Sequence, residues 1–319
     1  MDSNTTLLII NPKAGTVSKQ GMEALVASRL GFTPDVAYTT GRGSARSLAT
    51  EAAARGYKAV IAAGGDGTIN ETAAALLHTG IALGIIPCGS GNGLARHLAI
   101  PMDTAGAVDI IAEGHIDHCD YGTADGSPFF CTFGVGFDAA VSEKFDRQQR
   151  RGRLTYLRNT FEEYLRYHPE TYTISTDDQV ISDKAFLVAV CNASQYGNNA
   201  YIAPKASMTD GLLDVTVIHA GSPITTAFVG VDLLTGFIER NMLIDTFKAR
   251  HVTIERNDAG PAHLDGEPRR LGASIDIECH PGALNIFTPI DTPAFTPIIT
   301  PMRAFMRDIH YGVKQIFKL

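Results

Sequence analysis

A glycine-rich turn that carries one carboxylate is the stretch with the clearest capacity for chemistry. Residues 58–63 form a short apolar run of strand length, and Gly-Gly-Asp-Gly follows at 64–67. Glycine lets the backbone approach a ligand closely, and a helix that begins after such a turn offers free N–H groups to phosphate. Asp66 would repel bare phosphate, so its carboxylate suits a position near Mg²⁺ or a hydroxyl group. The turn predicts a phosphate and metal site.

The residues just after this turn have the spacing of a capping box. Thr68 and Glu71 form a Thr-x-x-Glu pattern, which predicts a helix N-terminus at Thr68. These two side chains could either cap the helix or bind a ligand.

Two later turns carry the other candidate groups. Residues 89–93, Gly-Ser-Gly-Asn-Gly, enter a helix, but Leu94 stands where a dinucleotide-binding fingerprint has its third glycine or alanine. No P-loop Gly-Lys-Ser or Gly-Lys-Thr occurs. Asp265-Gly266 is typical of a two-residue hairpin turn. A carboxylate at such a position can also act as a general base if an alcohol lies within hydrogen-bond reach.

The elements that must position these groups differ between the two halves of the chain. Up to residue 125, strands and helices alternate, which predicts a parallel sheet with helices on both faces. Ligands bind such sheets beyond the carboxyl ends of the strands, where the glycine turns lie. From 126 to 290 short strands dominate and predict a β-rich, sandwich-like domain, interrupted by one helix near 155–167. A cleft between the two domains is expected, and residues 291–319 form a tail.

The length, charge and cysteine content of the chain exclude several classes of function. The 319 residues carry a net charge of −7 and a pI of about 5.8, which argues against a nucleic-acid binder. No apolar run reaches the length of a membrane span, and the first residues lack the pattern of a signal peptide. The five cysteines are scattered and never spaced as Cys-x-x-Cys, which indicates free thiols and a cytoplasmic protein.

The motifs resemble those of a known family. Gly-Gly-Asp-Gly-Thr followed by Asn-Glu is similar to the nucleotide-binding signature of the diacylglycerol kinase and sphingosine kinase family of lipid kinases. NAD kinases and phosphofructokinases share only the Gly-Gly-Asp-Gly core. The resemblance implies ATP and Mg²⁺ as cofactors. It also implies a nucleotide site formed by Asn11, Pro12, Gly15, Thr39, Gly64, Gly65, Asp66, Gly67, Thr68, Glu71, Gly89, Ser90, Gly91 and Asn92.

The same resemblance assigns roles to acidic residues. Asp265 would be the general base, Glu267 would assist through Mg²⁺ or the nucleotide, and Asp66 would complete the catalytic set. Asp138, in Gly-Phe-Asp-Ala, would hold the acceptor head group. Asp210 would bind a structural Mg²⁺ together with backbone carbonyls. Gly93 departs from the bacterial pattern, which has an aspartate there, and this favours acceptors other than diacylglycerol.

The tail carries the prediction about membranes. Residues 302–319 can form one amphipathic helix with a basic stripe. Such a helix either packs on the first domain or lies on a membrane surface, where it would bring the enzyme to its lipid at the inner membrane. A homodimer is also left open.

The sequence thus predicts an ATP- and Mg²⁺-dependent lipid kinase that phosphorylates a lipid hydroxyl, such as that of diacylglycerol or a sphingoid base. An NAD kinase-like activity on a soluble substrate and a non-catalytic nucleotide or lipid sensor are the alternatives.

Overall fold

The computed structural model describes residues 1–3, 5–15, 19–146, 167–196, 200–238 and 241–291. Its helices are α1 (Met22–Leu30), α2 (Ser44–Ala54), α3 (Asp66–Leu76), α4 (Gly93–His97), α5 (Thr104–Glu113), α6 (Phe137–Asp146) and α7 (Pro223–Thr235). Its strands are β1 (Thr6–Ile10), β2 (Asp35–Tyr38), β3 (Ala59–Gly64), β4 (Ala82–Pro87), β5 (Ile116–Ala124), β6 (Ser127–Phe129), β7 (Thr132–Gly136), β8 (Glu170–Thr176), β9 (Val180–Cys191), β10 (Leu213–His219), β11 (Ile244–Ala249), β12 (His251–Arg256), β13 (Gly260–Leu264), β14 (Glu267–Leu271) and β15 (Ser274–Phe287).

The first domain is the predicted parallel α/β layer. β1 pairs in parallel with β2 and with β3, and β3 pairs in parallel with β4, so the order is β4-β3-β1-β2. The strands β1, β3 and β4 are buried throughout, as expected for a sheet covered on both faces. Right-handed crossovers place α1 on one face and α2 and α3 on the other. Successive strands are therefore added first on one side of β1 and then on the other, and sheets of this kind bind ligands at the point where the strand order reverses.

The second domain is β-rich, and its sheet is buried on both faces along the second half of β9. In β9, Val188 and Val190 join the apolar cluster on one face, while Leu187 and Ala189 join the cluster on the other. The strands β7, β8, β9, β10 and β12 pair antiparallel. The predicted combination of an α/β domain with a sandwich-like β domain is confirmed.

One long strand joins the two domains. β15 pairs antiparallel with β12 at its beginning and parallel with β4 at its end, where Asn285 lies opposite Ala82. The sheet order therefore runs without interruption from the second domain through β15 into β4. Leu284 and Ile286 belong to the apolar core of the first domain.

Several elements differ from the predicted ones. The sequence pattern predicts two separate strands at 274–278 and 283–287, but they are one strand, β15, because the pairing continues past a register shift between His280 and Leu284. The helix after the first glycine turn begins at Asp66 rather than Thr68. The sequence pattern also missed the helices α5 and α7 and the strands β5 and β11.

Two predicted helices, at 155–167 and 302–319, lie outside the described residues apart from residue 167, which is not helical. Within the described ranges, no helix combines the length and the hydropathy that a membrane crossing requires.

Candidate active site

A cleft of about 640 Å³ lies between the two domains, and its lining includes all three predicted catalytic residues and six of the fourteen predicted nucleotide residues. Its lining from the first domain is Asn11, Lys13, Thr39, Thr40, Gly41, Arg42, Ala45, Asp66, Gly67, Thr68 and Glu71. Its lining from the second domain is Ser142, Asp265, Gly266, Glu267, Pro268 and Arg269. Pro12, Gly15, Gly64, Gly65 and the loop 89–92 do not line it, although they were predicted to bind nucleotide.

The carboxyl ends of β1, β2 and β3 form one wall of the cleft. The Asn11 side chain, directly after β1, donates to the Thr68 hydroxyl at 2.9 Å, and its carbonyl oxygen accepts from the Lys13 backbone N–H. Thr39 follows β2 and is buried. These contacts bring the predicted residues of three separate turns onto one surface.

The prediction that Thr68 and Glu71 form a capping box is wrong. The turn after β3 is so tight that α3 begins at Asp66, with Gly65 as its N-cap and no side-chain cap. Glu71 instead accepts from the backbone N–H groups of Gly43 and Ala45, at 2.7 and 3.1 Å. It therefore caps the N-terminus of α2 and fixes the loop that carries Thr39.

The Asp66 carboxylate joins the two glycine loops. It accepts from the backbone N–H of Asn92 at 2.9 Å and of Gly93 at 2.7 Å. Asn92 in turn braces its own loop, because its side chain exchanges two hydrogen bonds with the backbone of Gly89. Asp66 thus holds the second loop in place against the first.

Glycine is required at two of these positions by close approach. A Cβ at Gly15, whose φ is +58°, would lie 1.7 Å from the carbonyl oxygen of Cys88. A Cβ at Gly89 would lie 2.8 Å from the Cα of Gly65. The three glycine turns therefore pack backbone against backbone.

Asp265 reaches the cleft from the tip of a hairpin. β13 and β14 pair antiparallel, and Asp265 and Gly266 form the two-residue turn with φ of +51° and +79°. This is the positive-φ turn that Asp-Gly favours. The predicted hairpin is confirmed, and the turn residue is at the same time a group of the cleft.

The Asp265 carboxylate accepts four hydrogen bonds. Three come from the backbone N–H groups of Phe130, Cys131 and Thr132, at 2.7–2.9 Å, and the fourth comes from the Asn70 side chain at 3.0 Å. Asn70 belongs to α3, so this bond crosses from one domain to the other. Burial raises the pKa of the Asp265 carboxyl above its ordinary value, while the backbone donors act against that rise.

The other predicted catalytic carboxylate lies among arginines. Glu267 pairs with Arg42 at 2.9 Å and with Arg269 at 3.4 Å, and all three side chains are largely exposed. Arg42 belongs to the first domain, so this ion pair also spans the cleft. Lys13, Arg42 and Arg269 bring three cationic side chains to the lining, where they face the carboxylates of Asp66, Glu71, Asp265 and Glu267.

Asp138 forms a buried polar cluster next to the hairpin. Its Oδ2 accepts from the Tyr196 hydroxyl at 2.8 Å and from Nε2 of His263 at 3.0 Å. The Gly266 backbone N–H donates to Nδ1 of His263 at 3.3 Å, so Nε2 carries the ring hydrogen. A side chain at Gly134 would fall on this pair. The structure thus connects Asp138 to the Asp265 turn through His263.

Asp210 does not join the cleft. Its carboxylate is bonded to the Leu212 backbone N–H and to the Lys248 ammonium group. In the described part of the chain, no cluster of three or more His, Cys, Asp or Glu side chains could hold a metal ion.

Sequence reasoning missed four groups of this site: Lys13, Arg42, Asn70 and Arg269. Lys13 lies inside the Asn-Pro-x-x-Gly motif, and Arg42 lies in the polar loop after Thr39, so position alone could have suggested both. Asn70 follows the glycine turn by three residues, but its contact with Asp265 depends on how the two domains pack.

Comparison with known proteins bears on what this cleft does. Residues 5–124 match the model of the diacylglycerol kinase catalytic domain, and residues 131–288 match the YegS C-terminal NAD kinase beta sandwich-like domain. A "Probable lipid kinase YegS-like" protein of Xanthomonas campestris pv. campestris (strain 8004) is 31% identical over 301 residues, covering 90% of this chain and 96% of the relative.

The chain belongs to the lipid kinase family with a diacylglycerol kinase catalytic domain. The family kinase of the same description from Pseudomonas aeruginosa PAO1 is 28% identical and covers 92% of this chain and 97% of the relative. Two solved structures from Bacillus anthracis str. Sterne share the fold, with TM-scores of 0.76 and 0.71 at 26% and 24% identity. They cover 91% and 92% of this chain and 99% and 98% of their own; the second is described as a diacylglycerol kinase. The predicted family and the prediction that the protein is a kinase are confirmed.

Proposed function

We propose that this kinase transfers the γ-phosphoryl group of ATP to a lipid hydroxyl, with Asp265 as the general base. The observation that carries the proposal is that the half-buried Asp265 carboxylate shares a single interdomain cleft with three cationic side chains. Phosphoryl transfer needs mainly positioning and charge neutralisation, and a base that orients the acceptor hydroxyl.

The groups of the cleft divide between the two substrates. Lys13, Arg42 and Arg269 would neutralise the triphosphate. The acceptor oxygen would form its new bond to the γ-phosphorus while the bond to the β–γ bridging oxygen breaks and ADP leaves. The acceptor proton would pass to Asp265 and then to solvent. Three of the four donors to this carboxylate are rigid backbone groups. The Asn70 amide is the one that can rotate away and free a lone pair for the proton.

Glu267 is the carboxylate of the cleft that could contribute a ligand to the predicted Mg²⁺ of the nucleotide, through Oε1, because Arg42 and Arg269 both contact Oε2. Its side chain is about half-exposed, whereas both oxygens of Asp66 are bonded to the backbone of the second loop. Oxygen ligands suit Mg²⁺, and a metal bound there would neutralise charge on the phosphates. Asp66 would support the site by holding the loop.

Transfer of label from γ-labelled ATP with Mg²⁺ to a panel of acceptors tests this function. The panel contains diacylglycerol, sphingosine, ceramide and phosphatidylglycerol in vesicles, with NAD as the soluble acceptor. Label in a lipid supports the proposal and names the acceptor. Label in NAD alone would establish the soluble-substrate alternative, and bound ATP without any transfer would establish the sensor.

Arg42 should affect nucleotide binding more than turnover. It can donate charge-assisted hydrogen bonds to phosphate, so we expect Arg42→Met to raise KM for ATP roughly tenfold with a small change in kcat. Arg42→Lys keeps the charge but loses the planar guanidinium group, so its KM for ATP should lie between those of the wild type and Arg42→Met. Steady-state kinetics at saturating acceptor measure the effect. An unchanged KM in Arg42→Met would remove Arg42 from the nucleotide site.

The pH profile should report the environment of Asp265. A general base acts when ionised, so activity falls as pH falls through its pKa, and the raised pKa places this limb above the ordinary aspartate range. Asn70→Ala removes a donor that favours the charged form, so the acid limb of kcat/KM should move to higher pH. Asn285→Ala, which removes an exposed amide that donates to the Gly80 carbonyl, is the matched control. An acid limb that stays in place in Asn70→Ala would contradict the assignment.

We also propose peripheral membrane association through the predicted basic helix at 302–319, which lies outside the described residues. Flotation with anionic vesicles compares the full chain with residues 1–300. Equal binding of both would remove the membrane role of the tail.

A further inference from the structure

The segment that ends at Asp210 is tied to the second domain by one lysine. Oδ2 of Asp210 lies 2.6 Å from the Lys248 ammonium nitrogen, and Oδ1 accepts from the Leu212 backbone N–H at 3.1 Å. Both carboxylate oxygens therefore already have partners within the protein.

The same ammonium group contacts a second carboxylate. Lys248 lies on β11 directly opposite Asp214 on β10, and its nitrogen is 3.1 Å from Oδ2 of Asp214. The Asp214 side chain is only 15% exposed, against 32% for Asp210 and 35% for Lys248. One positive charge thus lies between two negative charges, and strand pairing fixes its position.

This arrangement does not fit a structural Mg²⁺ at Asp210. Magnesium needs near-octahedral oxygen coordination, and an ammonium group in hydrogen-bond contact with the ligand oxygen occupies the place of the metal. Among the residues that the structure describes, no third acidic or histidine side chain completes a ligand set. The expected donor set was Asp210 together with backbone carbonyls, and its one charged member is bonded to Lys248 instead.

We propose that the Lys248 ammonium group is the built-in cation of this site and stabilises the Asp210 segment in place of a divalent metal. Two neighbouring carboxylates, one of them mostly buried, need a counter-charge in order to remain ionised together. Burial raises the pKa of Asp214, and Lys248 opposes that rise. Burial lowers the pKa of Lys248, but the two carboxylates together outweigh it and raise that pKa. The proposal is independent of the proposed function, because none of these side chains lines the cleft.

The ion pair between Asp210 and Lys248 anchors a segment that contacts both domains. The segment just before Asp210 packs on the first domain: Met208 is part of its apolar core, and the Met208 carbonyl accepts from the Asp120 backbone N–H. Asp120, itself buried, accepts from the backbone N–H groups of Gly211 and Gly282 at 2.7 and 2.8 Å. Lys248 therefore helps to hold a segment that connects both domains, without any need for metal.

Thermal unfolding of the full-length, nucleotide-free protein tests the proposal. We expect the Tm of the wild type to be the same in excess EDTA and in millimolar Mg²⁺ or Ca²⁺. Lys248→Met removes the ammonium group that contacts both carboxylates, so the Tm of this variant in EDTA should fall by a few degrees and rise again with either cation. A pocket of about 150 Å³ beside Lys248 and Asp214 gives a cation room to enter.

Two further variants make the result specific. Lys184→Met removes an exposed lysine of β9 and should show no dependence on metal. Asp210→Asn in the Lys248→Met background should abolish the response to cations. The proposal is overturned if EDTA lowers the wild-type Tm, if Asp210→Asn abolishes a Mg²⁺ response of the wild type, or if Lys248→Met gains no metal response. The wild-type comparison decides the question even if Lys248→Met does not fold.

Discussion

Asp265→Asn should lower kcat by about 10²–10⁴-fold, the usual contribution of a general base, while the KM for ATP changes little. The asparagine keeps the shape of the side chain but cannot take the proton of the acceptor hydroxyl. The NH₂ group of the asparagine is a donor that would face backbone N–H donors, so at least one hydrogen bond is lost. This loss should lower the free energy of unfolding by about 1–3 kcal/mol. Single-turnover assays with saturating ATP and chemical denaturation measure the two effects separately.

Asn70→Ala separates the chemical role of Asp265 from its structural one. This variant also removes a hydrogen bond at the carboxylate, yet leaves the base in place, so it should keep most of its kcat at alkaline pH. If Asp265→Asn retained more than a tenth of the wild-type kcat, Asp265 would be a structural residue and another base would have to be sought.

Arg256→Met should lower the free energy of unfolding by on the order of 3–4 kcal/mol, because it strips four carbonyl groups of a charged donor. The Arg256 side chain is buried and donates to the backbone carbonyls of Gly260, Pro261, Leu271 and Gly272, at 2.7–3.1 Å. These carbonyls lie at the open end of the β13–β14 hairpin, whose other end carries Asp265. The loss is smaller than four charged hydrogen bonds taken separately because the freed carbonyls regain water.

Arg270→Met is the matched control for this prediction. Arg270 is exposed on the same hairpin and donates one hydrogen bond, to the Ala259 carbonyl at 3.1 Å. Its replacement should change stability by less than about 0.5 kcal/mol. Urea denaturation followed by circular dichroism compares the variants at equal pH and salt. An Arg256→Met protein within 1 kcal/mol of the wild type (roughly the worth of one neutral hydrogen bond) would show that the carbonyls find other partners.

Features set by residues close together in the chain were predictable from sequence. The glycine turn after β3 and the Asp-Gly hairpin at 265–266 depend on backbone preferences within about four residues. The parallel sheet of the first domain followed from the alternation of apolar runs with helical patterns, but its strand order did not. The resemblance to the lipid kinases also depended on such short motifs, and the family comparisons confirmed it.

The tertiary structure decided which partner each polar side chain has. Glu71 was expected to cap its own helix, yet it caps α2, whose N-terminus lies 26 to 28 residues earlier in the chain. Asp66 was expected to face metal, yet it is bonded to the backbone of a loop 26 and 27 residues later. Asp210 was expected to bind Mg²⁺, yet it meets Lys248 across the β10–β11 pair.

The physical reason is the same in each case. A carboxylate that leaves water needs hydrogen-bond donors or a counter-charge, and it takes those that packing brings nearest. Local sequence determines which residue carries the charge and what turn it occupies. Only the packing of α3 against α2, of one glycine loop on the other and of β11 beside β10 determines what that charge meets.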